Sequence, residues 1–582
     1  MSEPQEASSW RTNITQLSSL MGWMLGALLL GLAMIPSDSW IGWFLHPLNS
    51  TDGQSSEELT TGVRLLRLML PIAGLCWIGW TLLLHRNRGS ATTDSRRETN
   101  RSLLLPSAII LFAGVAIRLP LLNDGLWYDE IASFWYYGQF GPGPIIGNMF
   151  TPANHTLQTL GSWTSVMASG GSLEPEIIRL PAIIMGLATI WPMSVLAREA
   201  FPDRTGMLLS IMLLLLCPVA ILESTEARGY AFMLFFGTSG SALLTRYLTN
   251  GTLALLSFYA IVMALGIWSH LVTVVVPMGH ALFLVGMLMA SRRDKTAGHR
   301  SWLGLGAIGL AALTTITFLA PVIPDLLSDS ASFSARSADQ PDLLGREGTN
   351  SLLGLGGSWN TLGGLVGLLL LGFGCAASLG NKALRRPLLL TGAPILIAIV
   401  LVSGLGTWVY ARFLVFGITF TILGISAGIL LLRSRSGVVG GLALGALLLG
   451  WGGDLLGRYQ VPRQPIREIM SAIPEDDSGI GFIGITDLGI VLSWYADDPD
   501  RIIDLSEERP LQSSRMSARG IDWLVIAYPS RTIPETSLLE ISAEGAPERR
   551  KVVEGFVVHT VRPGWIDDDG SILLLKREEK DT

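Results

Sequence analysis

Apolar stretches of about 20 residues, separated by short polar breaks, fill the chain as far as Trp451 and then stop. A bilayer's hydrocarbon core is about 30 Å thick and takes about 20 residues of α-helix to cross. Read at that length, the pattern predicts thirteen spans, centred near residues 27, 74, 112, 187, 215, 238, 261, 281, 311, 370, 397, 423 and 446. The first is longer than the apolar region of a secretory signal and lacks a small-residue cleavage site, so a retained helix is expected there. Beyond about Arg458 the chain turns charged and carries short strand-like runs: GIGFIGI (Gly479 to Ile485), DWLVIAY (Asp522 to Tyr528), KVVEGFVVHTV (Lys551 to Val561) and SILLLK (Ser571 to Lys576). Helix-like segments at 464–473 and 486–495 sit among them. The expected architecture is therefore mainly α, a polytopic transmembrane bundle followed by a small α/β domain.

Composition agrees with a membrane protein and removes other classes. Of 582 residues, 49% are hydrophobic and only 15% charged, which is too apolar for a soluble chain of this length. The net charge of −6 is no argument for a nucleic-acid partner, and none is expected. All three cysteines, Cys76, Cys217 and Cys375, lie in apolar stretches, so they read as small helix- or lipid-facing residues and not as a disulfide or metal framework. The Gly-rich run from Gly437 to Gly453 reads as a surface for close helix packing.

The position of the charges predicts an orientation. Basic loops are held on the cytoplasmic side, and with thirteen spans the four richest fall together on one side: His85–Arg101, Ser291–Arg300, Asn381–Arg386 and Arg433–Arg435. The N-terminus is then cytoplasmic and the C-terminal domain outside. The outer face collects Asp129 and Glu130, Asn154 and His155, Glu223, Glu226 and Arg228, His270, and Tyr410 with Arg412. Residues 122–176 form a long outer segment with two amphipathic pieces, Ile131 to Phe140 and His155 to Ala168, expected as interfacial helices. A second outer loop, 321–359, is polar and reads either as a lid or as a plain connection.

The acidic pair in GLWYDEIASFWYY (Gly125 to Tyr137) is the first chemical candidate. Adjacent carboxylates diverge by about 100° on a helix, so one can face a cavity while the other supports it. They can equally cap the helix that follows, where its dipole favours negative charge. In LESTEARGYAFMLFF (Leu222 to Phe236), Glu226 and Arg228 are two apart and cannot pair along a helix. Arg228 offers a planar, permanent charge suited to phosphate, or else snorkels or pairs with a carboxylate. His270 stands at an outer turn between spans, and Arg412 opens a late span as a second phosphate candidate.

In order along the chain stand Arg118, the Asp-Glu pair, Asn154-His155, IIRLPAII (Ile177 to Ile184), STEARGYAFML (Ser224 to Leu234), His270 and Arg412. This order resembles the membrane glycosyltransferases of the GT-C fold, specifically the family 39-like group of protein mannosyltransferases and lipid A aminoarabinose transferases. The resemblance covers roughly residues 102–435. Together with the composition change after Trp451, it divides the chain into two extra N-terminal spans with a basic loop (1–101), which lie outside the resemblance, a catalytic core (102–456), and an extracytoplasmic α/β domain (457–582) that the resemblance does not place. One departure is clear: many relatives carry a His-Pro-Pro-Leu run where this chain has His155-Thr156-Leu157-Gln158.

The resemblance implies transfer of a sugar, with inversion, from a polyprenyl-phosphate donor to an acceptor hydroxyl on a lipid, glycan or protein at the outer face of the inner membrane. Asp129 is then the general base and Glu130 its support. Arg228 and Arg412, helped by His270 and Tyr230, meet the departing phosphate, while Tyr128, Asn154, His155 and Glu226 contact acceptor or sugar. No cofactor is implied; a divalent ion at Asp129 and Glu130 is chemically feasible but not expected. A surface-polysaccharide polymerase or ligase is the nearest alternative. A lipid-linked glycan transporter is another, although the charges gather at one face and not at the midplane.

Overall fold

The computed structural model describes residues 3–51, 54–86, 104–151, 153–290, 294–328, 346–355, 361–405, 410–475, 478–484, 488–506, 513–527, 556–565 and 571–578. A helix covers each of the thirteen expected centres. Among the described residues, nine stretches are long and apolar enough to cross a bilayer: Ile14–Ala33, Glu57–Arg86, Pro175–Ala200, Leu271–Ala290, Lys295–Ser328, Gly363–Gly380, Lys382–Leu401, Ala411–Arg435 and Gly437–Gln460. Three shorter apolar helices, Ile109–Leu122, Arg204–Leu216 and Ala254–Ser269, stand at three further centres. The thirteenth, Tyr230–Asn250, runs 21 residues and is buried along nearly its whole length. The protein is an integral membrane protein.

The chain forms two compact units, one of Met1–Leu119, Phe140–Ser172 and Ile177–Asp454, the other of Pro120–Gln139, Leu173–Glu176 and Leu455–Thr582. In the first, the helices are tied by polar contacts that would be costly to leave open in an apolar surround. The second span, Glu57–Arg86, is pinned by two indoles, Trp77 Nε1 donating to Thr314 Oγ1 (3.0 Å) and Trp80 Nε1 to Ser257 Oγ (3.1 Å). His280 bridges three helices, 2.9 Å from the Tyr259 hydroxyl and 3.1 Å from Ser241 Oγ. Thr238 and Thr419 pair through their hydroxyls at 2.7 Å.

Close helix approach occurs elsewhere than expected. A Cβ on Gly374 would stand 1.9 Å from the Gly424 carbonyl oxygen, and one on Gly428 would stand 2.1 Å from that of Leu370, so helices 361–380 and 418–435 meet backbone to backbone. In the run from Gly437 to Gly453, by contrast, Gly437, Gly441, Gly445 and Gly452 have no heavy atom within 4 Å of a Cβ position. Neighbouring Val438, Leu442 and Leu449 are 72%, 69% and 77% exposed, so that helix turns this face outward, where apolar side chains suit lipid.

The second unit carries a five-stranded mixed sheet: β1 (Gly479–Ile483), β2 (Ile502–Asp504), β3 (Ile521–Ala527), β4 (Phe556–Arg562) and β5 (Ile572–Arg577), in the order β2-β1-β3-β5-β4. β1 pairs in parallel with β2 and β3, while β5 runs antiparallel to both β3 and β4. Strand β3, flanked on both edges, is apolar almost throughout, as a central strand must be; β4, at the edge, has one buried residue, Phe556, and is otherwise half-buried or exposed. Ile483, Leu505, Met516, Leu524, Phe556 and Leu573 are among its core. The four anticipated strands are present, and the short β2 is additional. Of the anticipated segments, Ile485, Tyr528 and residues 551–555 lie outside the described residues, as do 87–101, 291–293, 329–345 and 356–360 of the basic and polar loops.

Candidate functional site

The core of the first unit's polar cluster begins at a break between helices. Pro218–Leu222 ends at Glu223, and the chain turns irregularly until Gly229 starts helix Tyr230–Asn250. The turn is held from below by Arg118. Its Nε donates to Ser224 Oγ at 2.8 Å, and its Nη1 to the carbonyls of Gly114 (2.8 Å) and Leu215 (3.3 Å). Within the turn the Arg228 amide donates to the Glu226 carbonyl at 2.7 Å. The Arg228 side chain is only 5% exposed, and its Nη1 donates to the Ala153 carbonyl at 2.9 Å, tying the turn to the loop before His155.

Two imidazoles stack beside it. The rings of His155 and His270 lie 4.6 Å apart with planes inclined by 17°. His155 starts helix Thr156–Ala168, and His270 follows the last residue of helix Ala254–Ser269. Tyr230 completes the group, 5.1 Å from His270 and 5.9 Å from His155 between ring centroids. Phe413 packs edge-on against His270 at 5.1 Å. Arg412 donates from Nε to the Tyr230 hydroxyl at 3.0 Å, and its guanidinium lies 3.7 Å from the Tyr410 ring centre. Gly229 is required at the centre: a Cβ there would stand 2.4 Å from the Ser269 carbonyl oxygen and 3.1 Å from His155 Nδ1.

This environment keeps both imidazoles neutral. Burial, then the charges of Arg228 and Arg412, pushes His270 down to about 3. His155 is held well below the usual imidazole range by burial, then Arg228, His270 and Arg412, while a hydrogen bond with the Ser269 backbone works the other way. His270 Nδ1 accepts from the Val272 amide at 3.3 Å, which leaves the proton of the neutral ring on Nε2. Nε2 of His155 and Nε2 of His270 are both buried and have no hydrogen-bond partner among the described residues. Buried polar atoms are nearly always paired. Two guanidinium groups and two neutral rings, one an Nε2–H donor, form a natural anion cradle at the start of a helix, whose dipole adds to the attraction.

The structure thus gathers Arg228, Tyr230, His270, Arg412 and His155. Asn154 is adjacent; its Nδ2 donates to the carbonyls of Ile145 (2.8 Å) and Asn148 (2.9 Å), while its buried Oδ1 has no hydrogen-bond partner among the described residues. Glu226 is 5% exposed within the turn. Phe413, Gly229 and the clamp by Arg118 were not anticipated as parts of a site. Phe413 and Gly229, apolar or small in an apolar sequence, carry no local signal of such a role, whereas Arg118 stands out as a charge at a span end but nothing local ties it to Ser224, 106 positions away.

Tyr128, Asp129 and Glu130 belong to the second unit, in the first turn of helix Tyr128–Tyr136. Glu130 is buried and reaches back to accept the Trp127 amide at 3.2 Å, so it caps its own helix. Asp129 is half-buried, with its carbonyl accepting from Ser133 Oγ at 2.9 Å. The Tyr128 amide donates to Gln464 Oε1 at 2.9 Å. Among the described residues no three His, Cys, Asp or Glu side chains gather as metal ligands.

No protein-family model and no curated protein sequence matches the chain. Among solved structures it is similar to the Archaeoglobus fulgidus oligosaccharyltransferase, determined in complex with Zn and sulfate, at 12% identity and a TM-score of 0.47, over 75% of this chain and 70% of that one. It is also similar to ArnT from Cupriavidus metallidurans bound to undecaprenyl phosphate, at 14% identity and a TM-score of 0.45, over 81% of this chain and 97% of that one. The arabinosyltransferase EmbB from Mycobacterium smegmatis gives 16% and 0.40, over 70% of this chain and 36% of that one.

Proposed function

We propose that the protein is an inverting glycosyltransferase that moves a sugar from a polyprenyl-phosphate donor to an acceptor hydroxyl at the outer face of the inner membrane. The observation that carries the reading is His270, a buried neutral imidazole stacked on His155 and under the charges of Arg228 and Arg412, whose Nε2–H has no hydrogen-bond partner among the described residues. A lipid phosphate carries the charge that such a cradle favours. At a separation of about 4 Å and an effective dielectric of about 20, each guanidinium attracts a unit negative charge by about 4 kcal/mol. The donor's isoprenoid tail accounts for the apolar helices around the cradle.

In the reaction, the acceptor oxygen attacks the anomeric carbon as the bond to the phosphate oxygen breaks. The acceptor proton passes to Asp129, and polyprenyl phosphate departs with its new charge met by Arg228 and Arg412. His270 donates from Nε2, and Tyr230 fixes Arg412 through its hydroxyl. Glu130 caps the helix that carries Asp129, which leaves Asp129 as the carboxylate for proton transfer. Tyr128, Asn154, His155 and Glu226 are assigned to acceptor or sugar. Because the leaving group is already a phosphate, charge stabilisation suffices, and the proposal includes no cofactor.

The test is transfer from labelled polyprenyl-phosphate sugars into membrane extract by the purified protein, wild type beside Asp129→Asn. Loss of a positioned base is expected to slow transfer by about 10² to 10⁴. Equal rates would remove Asp129 from the role, and no transfer from any such donor would remove the enzyme reading.

A further inference from the structure

The loop that leads into the acidic helix has almost no structure of its own, yet nearly every residue of it is gripped by the C-terminal segment. Arg467 Nη1 donates to the Asn123 carbonyl at 3.2 Å. The Tyr495 hydroxyl donates to the Leu126 carbonyl at 3.1 Å, and Gln464 Oε1 accepts the Tyr128 amide at 2.9 Å. The guanidinium of Arg463 lies 3.8 Å from the Trp127 ring centre and 4.9 Å from that of Trp565. Gly125 leaves room for this grip, since a Cβ there would stand 3.0 Å from Arg467 Cβ and 3.4 Å from the Tyr495 hydroxyl. Further along the helix, Phe134 meets Trp494 edge-on at 6.0 Å.

The gripping residues are in turn fixed to the sheet. The Trp565 amide, just past β4, donates to the Arg463 carbonyl at 3.2 Å, and the Arg458 guanidinium lies 4.1 Å from the Trp565 ring centre. Trp494 and Tyr495 end helix Leu488–Tyr495, which connects β1 to β2. The contacts reach three different parts of the loop, two carbonyls and one amide, so together they define its path and the register at which the helix begins.

We propose that the C-terminal α/β segment is the mount of the acidic helix, with Arg463, Gln464 and Tyr495 as positioning residues that set where Asp129 stands. The assignment gives the sheet an indirect part in the reaction, through the placement of Asp129. It rests on the reading of Asp129 as the base; the mounting itself does not.

The test uses full-length protein and two readouts, amide hydrogen exchange over residues 127–136 and kinetics of transfer. Gln464→Leu removes the acceptor for the Tyr128 amide, Gln464→Glu keeps an oxygen in the same place, and Arg463→Met keeps length without the charged plane. Gln464→Leu and Arg463→Met are expected to speed exchange in the helix about tenfold or more. They should lower kcat by up to about 10²-fold, the scale of an ångström of misplacement, with donor KM changed less than about twofold. Gln464→Glu should recover most of both. Exchange equal to wild type in both damaging variants would overturn the mount, and faster exchange with unchanged kcat would overturn the positioning role. So would a Gln464→Glu variant as impaired as Gln464→Leu. If wild type transfers nothing while exchange responds as expected, the mount stands and only the assignment of Asp129 fails.

Discussion

The cation cluster and the acidic helix are held in place by different means. Arg228, Tyr230, His155, His270 and Arg412 all stand at or beside helix ends, and they fix one another: ring on ring, guanidinium on phenol, imidazole beside guanidinium. Asp129 is set by side chains that do no chemistry, contributed from 336 to 369 positions along the chain, as with Gln464 and Tyr495. The first arrangement is preorganised charge, paid for by burying cations in an apolar surround. In the second, one half-buried carboxylate rides on a helix whose entry is scaffolded. The difference matters because substitutions in the cluster act on the electrostatics directly, whereas those around Asp129 act through geometry.

The largest effect that separates the two is expected from the arginines. Arg228→Gln and Arg412→Gln should each lower transfer by about 10² to 10³, the scale for losing one preorganised donor to a developing anion. Arg228→Lys should restore little, since an ammonium does not reproduce the planar fork. Binding of polyprenyl phosphate to the same proteins should fall in parallel, whereas Asp129→Asn should bind it as wild type does. Undiminished binding in both arginine variants would break the comparison by placing the donor elsewhere.

A smaller effect tests how tightly the cluster is packed. Gly229→Ala puts a methyl group where the Ser269 carbonyl and the His155 ring already stand. Overpacking of this kind costs about 1 to 3 kcal/mol. Polyprenyl-phosphate affinity should drop about tenfold in a titration, in keeping with that cost. Wild-type affinity in the variant would show that the His155–Ser269 geometry is unimportant to binding.

The smallest effect is on pH. His270 titrates near 3 in the folded protein against 6.5 as an ordinary imidazole, so between those values the unfolded chain binds the extra proton. Stability is therefore complete above about pH 6.5 and declines as pH falls towards 3, and His155 contributes in the same direction. The thermal midpoint should fall by a few degrees between pH 7 and pH 5 in detergent. His270→Asn should show a smaller fall, and an equal fall would mean that the ring is not held neutral.

Much of this was readable from residue order, for identifiable reasons. Bilayer thickness sets a length, so the helix centres follow from apolar runs alone. The strands at 479–483, 521–527, 556–562 and 572–577 follow from short apolar runs bounded by charged and turn-forming residues. Arg228, His270 and Arg412 stand out because charge is rare in such a sequence, and rarity is a local property. Glycine content was a poorer guide: Gly374, Gly424 and Gly428 make the close approach, while the richer run from Gly437 faces outward. Whether a glycine meets a backbone depends on which side of its helix another helix covers.

What the amino-acid sequence determined by itself is the set of membrane helices, the sheet and the few ionisable residues among apolar ones. Tertiary structure alone decided that His155 and His270 stack, that Arg412 reaches the Tyr230 hydroxyl, and that Gln464 accepts from Tyr128. Each of those contacts joins residues more than a hundred positions apart. Periodicity and propensity extend over one element, but a hydrogen bond or a ring stack forms only when folding has brought two elements together.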